Sequence, residues 1–88
     1  MPFQFDPAKA RQNLHKHGVS FADAEAVFED PLALSMPDAG SEGEPRTVAI
    51  GLGGAGELLV VVYVERNGGI RLISARRPTR KEREAYES

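Results

Sequence analysis

The stretch from Leu58 to Val64 is continuously apolar and rich in valine, and Asn67-Gly68-Gly69 follows it as a turn signal. β-Branched residues favour strands, and an unbroken apolar run of this length predicts a central strand buried on both faces. The turn predicts a hairpin. Ile70 to Ala75 then forms the return strand. Period-two alternation puts Arg71, Ile73 and Ala75 on one face and Ile70, Leu72 and Ser74 on the other.

Phe3 and Phe5 alternate around Gln4, as in a short first strand. Asp6-Pro7 reads as an N-cap followed by proline, opening a helix from Pro7 to His17 that Gly18 closes. Its apolar face is thin, with Ala10 and Leu14 four apart. Ser20, with Asp23 three residues on, caps a second helix that carries Phe21, Ala24 and Phe28 on one face. Asp30-Pro31 ends it. Leu32 to Met36 and Thr47 to Leu52 read as strands, joined by an exposed polar loop from Pro37 to Pro45. Thr79 and Glu82 form a capping box for a last helix, Arg80 to Glu87, which is highly charged and has only Ala85 and Tyr86 as anchors. The chain of 88 residues allows one domain, spanning 1–88. The expected class is α+β: two N-terminal helices, an antiparallel sheet of about four strands and one C-terminal helix.

Charge is segregated behind the net value of −2: residues 1–19 carry +2, residues 20–65 carry −8 and residues 66–88 carry +4. A basic face is therefore compatible with a pI of about 5.6, since fields are local and screened. A general nucleic-acid coating protein is not. The chain has no cysteine, which removes disulfides and thiolate metal sites. The opening MPFQFDPAKA lacks a signal-peptide core, and the longest apolar run is far too short to cross a membrane, so a cytoplasmic location is expected.

Metal chemistry has little to draw on. His15 and His17, the only histidines, sit on different sides of a helix at i, i+2. The glycine-rich stretch Gly51 to Gly56 lacks the Lys-Ser/Thr of a phosphate loop and leads into a strand, so it reads as a connection. Neither Ser20 nor Ser74 sits in a nucleophile elbow. What remains is a set of arginines. Arg71 lies inside the return strand, Arg76 and Arg77 are consecutive at its end and point to opposite faces, and Arg80 and Arg83 share a helix face. Guanidinium forks suit phosphate, and the plain alternative is pairing with acids such as Glu65 and Glu82. Lys16-His17-Gly18 ends the first helix, where an imidazolium is favoured, either as a tuned acid or as a cap on helix carbonyls.

Several blocks resemble the BrnT family: Phe5-Asp6-Pro7-Ala8-Lys9, Asn13 through Phe21 with its K-H-G-V-S-F core, Ala24 through Leu32, Gly43-Glu44-Pro45-Arg46 with Ile50-Gly51, and Leu59 through Arg66. The ending from Ile70 through Glu87, with I-S-A-R-R, completes the likeness over nearly the whole chain. The resemblance implies a RelE-like fold, ribonuclease activity and no cofactor. It also implies a BrnA-like antitoxin whose ribbon-helix-helix part binds operator DNA. The toxin would contact that DNA only through the antitoxin, in a complex expected to be a heterotetramer. Important positions fall on Lys16, His17, Glu44, Arg46, Arg71, Arg76 and Arg77, with Tyr63 and Tyr86 nearby. The chain departs from the pattern at Ala39-Gly40-Ser41 and at Tyr63, where relatives carry histidine, and at Pro45, where an acid is common.

The chemistry this implies is metal-independent cleavage of single-stranded RNA by the 2′-OH. That step needs a base, an acid and charge stabilisation. Arg46, Arg76 and Arg77 are the expected clamp, His17 or Glu44 the base, and His17 or a tyrosine the acid. Lys16, Arg71, Arg80, Arg83, Tyr63 and Tyr86 are expected to hold RNA. These groups are expected to converge in one hollow beside the end of the first helix. The other reading is a catalytically weak homologue that binds an antitoxin as a co-repressor subunit.

Overall fold

The computed structural model describes residues 3–40 and 43–88; Ser41, one of the departures noted above, lies outside them. In chain order the elements are β1 (Phe3–Gln4), α1 (Pro7–His17), α2 (Phe21–Glu25), a 3-10 turn (Ala26–Glu29), β2 (Leu34–Pro37), β3 (Thr47–Leu52), β4 (Leu58–Arg66), β5 (Gly69–Arg76) and α3 (Arg80–Glu87). The strands form one sheet in the order β1-β5-β4-β3-β2. The valine-rich strand is its centre, and Val60 and Val61, whose side chains point to opposite faces, are both fully buried. The class is α+β as expected, with five strands in place of about four. The sheet is mixed, because β1 runs parallel to β5 while every other pair is antiparallel.

Local signals place the helices. Asp6 accepts from the Ala8 N–H at 2.9 Å and Ser20 from the Asp23 N–H at 3.1 Å. Gly18 closes α1 at φ 69°, a left-handed conformation that suits glycine. The second helix is shorter than expected, because its last turn tightens into the 3-10 segment before Asp30-Pro31. Phe21, Ala24 and Val27 from this region enter the core, with Phe28 packed against it. The two outer-face anchors read from sequence are not buried: Leu14 on α1 is 52% exposed, and Ala85 on α3 faces solvent.

The face assignment on β5 is corrected by a bulge. Val62 pairs with Ser74 and Tyr63 with Leu72, so Ile73 is the extra residue. Ile70, Leu72 and Ala75 therefore share the core under α1 and α2, and Arg71, Ile73 and Ser74 do not enter it. Asn13, on α1, fastens this region. Its Nδ2 donates to the carbonyls of Val19 (3.0 Å) and Ala75 (2.8 Å), and its Oδ1 accepts from the Ala75 N–H (3.0 Å). The buried amide thus does the hydrogen bonding of a neighbouring strand where β1 has already ended.

The glycine-rich connection is tight for a packing reason. A Cβ on Gly53 would stand 2.5 Å from Leu59 Cδ1 and 3.1 Å from the Asp23 carbonyl oxygen. The loop is pressed against α2, where the Gly54 N–H donates to that same carbonyl at 3.0 Å.

Candidate active site

The end of α1 is rich in donors: His15, Lys16 and His17 all fall in its last turn. Directly after β5, Arg77 reaches this end. Its Nη1 donates to the His17 carbonyl at 3.0 Å, and its Nη2 meets Glu57 at 3.2 Å. Two of five guanidinium N–H donors are thereby used, and the side chain is still 55% exposed. Arg77 thus caps the negative end of the helix dipole while presenting its remaining donors outward.

Arg76 and Arg77 point opposite ways, as consecutive strand residues must. Arg76 turns to α3 and forms a two-pronged bridge to Glu82, both contacts at 2.8 Å. Glu82 also accepts from the Thr79 N–H at 2.8 Å, completing the capping box. The Arg76 hydrogen bonds hold the Glu82 carboxyl down at about 2. Arg76 is thereby committed to fastening α3.

A cleft of about 380 Å³ opens where Arg77, α3 and the β3–β4 connection meet, lined by Leu52, Glu57, Leu58, Arg77, Arg83 and Tyr86 among others. The Tyr86 hydroxyl donates to Asp30 Oδ2 at 2.6 Å. That bond raises the tyrosine pKa and, with the N–H groups of Leu52 and Leu32, lowers that of Asp30. Asp30 so ties the end of the 3-10 turn to β3 and to α3. Arg80 projects away at 93% side-chain exposure, with only Glu84 beside it.

The remaining expected groups lie elsewhere. Glu44 and Arg46 precede β3, whose first residue pairs with Tyr63, while Arg76 pairs with Val60. At about 3.4 Å per residue, Arg46 and Arg77 are separated by roughly 17 Å along the sheet. The single hollow expected from sequence is therefore divided in two. In the second group Arg66 grips Glu44, with Nε 2.8 Å from one carboxylate oxygen, and the Glu44 pKa is lowered chiefly by that bond and further by the charges of Arg66 and Arg71. Tyr63 corrects the sequence reading more sharply. It is buried in the core, edge-on to Phe28 with ring centroids 4.8 Å apart, and it offers no face to RNA. Lys16 and His17 line a shallower cleft of about 210 Å³ between α1 and β5. The roles of Asn13, Asp30 and Arg66 as ties are not legible in the sequence, because their partners stand 62, 56 and 22 residues away.

Among the described residues, no group of three or more His, Asp or Glu side chains is placed to hold a metal ion. No helix among them is long and apolar enough to cross a membrane. The profile of one protein family, the ribonuclease toxin BrnT of type II toxin–antitoxin systems, matches residues 5–82. The 1.1 Å crystal structure of the Brucella abortus ribonuclease toxin BrnT superposes with a TM-score of 0.71 at 25% identity, over 91% of this chain and 99% of that one. No curated protein matches the chain.

Proposed function

The chain belongs to the BrnT family of ribonuclease toxins of type II toxin–antitoxin systems, and on that premise we propose that it cuts single-stranded RNA, without a metal, where α1, β5 and α3 meet. The observation that carries the placement is the 3.0 Å bond from Arg77 to the His17 carbonyl, which joins the imidazole-bearing helix end to a half-free guanidinium.

In the proposed step the 2′-oxygen attacks the neighbouring phosphorus and the P–O5′ bond breaks, leaving a 2′,3′-cyclic phosphate and a 5′-hydroxyl. His17 takes the 2′-OH proton, and Arg77 stabilises charge on the phosphorane. Tyr86, in the Arg77 cleft, is the acid that protonates the leaving O5′, giving up its hydrogen bond to Asp30 as it does so. Lys16, Arg83 and the outward Arg80 hold backbone phosphates. Arg71 and Arg46, with Glu44 orienting its neighbours, meet RNA further along the sheet. Arg76 acts through α3, positioning the cleft wall. The family brings an antitoxin partner. We infer that it is BrnA-like, with a ribbon-helix-helix segment that carries the toxin to operator DNA in a heterotetramer. An RNA substrate places this work in the cytoplasm, and the whole of residues 1–88 serves as one domain.

The test is cleavage of an oligoribonucleotide by purified protein in EDTA. The variants His17→Ala and Arg77→Ala should each slow cleavage by about 10²–10⁴-fold. Full activity in the double variant, or loss of wild-type activity in EDTA, overturns the assignment. The two-pronged bridges at Arg76 and Glu44 favour a second reading, a weak nuclease retained as antitoxin-binding co-repressor. Growth arrest on expression without antitoxin separates the two.

A further inference from the structure

We propose that the cleft between α1 and the uncovered length of β5 is an RNA-backbone site beside the cut, with Lys9 and Gln12 as its binding residues. The proposal rests on the ribonuclease reading above and names two residues that reading does not use.

The site follows from how the sheet edge is built. β1 pairs only with Ile70 and Arg71, so beyond that point β5 has no strand beside it. Asn13 satisfies the Ala75 backbone there. Because of the bulge, Ile73 and Ser74 stay half-buried at this edge instead of joining the core. They form one wall of the cleft. Lys9, Gln12 and Lys16 form the other, at i, i+3 and i+7 on one helix face, and His17 closes the end nearest Arg77.

The chemistry of this lining is specific in one respect. Apart from the His17 imidazole at its end, it offers ammonium, amide and hydroxyl groups and no ring on which a base could stack. Such a set donates to phosphate and ribose oxygens, acceptors that a 2′-O-methylated strand keeps, and requires no particular base. Lys9 and Lys16 have no ion pair among the described residues, whereas Arg76, Arg77, Arg80 and Arg83 are all bridged to glutamates. A phosphate meeting the two lysines displaces no internal partner. Seven residues of helix separate them by about 10 Å, so they take different phosphates.

The experiment uses the full chain and a fluorescent single-stranded oligoribonucleotide, 2′-O-methylated throughout so that it binds without being cut. Affinity is measured by anisotropy across a salt series. Each lysine–phosphate contact adds about 0.7 to the slope of log affinity against log salt, so Lys9→Ala should lower the slope by about that amount and weaken binding about fivefold at 0.1 M salt. Lys9→Arg should restore the slope. Gln12→Ala should weaken binding with the slope kept, and Lys81→Ala, an exposed charge on α3, should change neither. With a cleavable oligonucleotide, Lys9→Ala should raise KM and leave kcat, the signature of lost uniform binding. If wild type binds and cuts RNA while Lys9→Ala and Gln12→Ala match it at every salt, this inference fails and the ribonuclease reading stands. If wild type neither binds nor cuts RNA, both fall.

Discussion

Single side chains divide here into those that hold the molecule and those left free to act, and hydrogen bonding decides which is which. Asn13 belongs to the first kind. Its amide makes three buried bonds to backbone groups, and Asn13→Ala should strand all of them at about 2–4 kcal/mol, read as a lower urea midpoint with unchanged slope. Glu44 shows why a carboxylate in a motif is not thereby a base. The grip of Arg66 keeps it ionised well below neutral pH and occupies its oxygens. Glu44→Gln should accordingly leave the rate of RNA cleavage within about threefold, far short of the 10²–10⁴-fold that loss of a general base brings. A larger fall would return Glu44 to the reacting centre. His17 and Arg77 are of the second kind: the Arg77 guanidinium meets His17 at its backbone carbonyl, so the imidazole takes no part in that bond.

Among the helices, α3 has the least to hold it: none of its residues is fully buried, whereas α1 buries Asn13 and α2 buries Phe21 and Ala24. It stays in place through Glu82 on Arg76 and Tyr86 on Asp30. The first contact carries a pH dependence. Glu82 titrates at about 2 in the folded chain against an ordinary value of 4.5, so its contribution is whole above about 4.5 and disappears as pH falls toward 2. Partial exposure limits it to about 1 kcal/mol or less. The Tm difference between wild type and Glu82→Gln should therefore shrink between pH 5 and pH 2, and a constant difference would place the stabilisation elsewhere. The helices were legible because their signals are local: Asp6-Pro7, Gly18 and the Thr79–Glu82 box stand within a turn of the ends they mark. The strand faces were half legible. The unbroken apolar run reads correctly as the doubly buried β4, but nothing in Ile70 to Ser74 announces that Ile73 will be skipped. The division of the expected hollow was not legible at all. It depends on Arg46 preceding β3 and Arg77 following β5, two strands that run the same way on either side of β4, which is a property of topology and register and not of spacing.

At the scale of the whole molecule, the two ends of the chain complete one another. Phe3 pairs with Ile70, Asn13 holds Ala75, and the end of α1 takes Arg77. A chain stopped after Arg66 should accordingly show no cooperative thermal transition by circular dichroism; a sharp one would mean that the first three-quarters folds alone. Contacts this far apart in sequence also predict slow folding, in milliseconds to seconds. During synthesis, the segment that supplies Arg77 and the α3 wall of its cleft leaves the ribosome after α1 and the β3–β4 connection that it meets. On the proposed reading, the cutting centre therefore cannot assemble before that segment is out, and a nascent chain that has reached only β4 holds none.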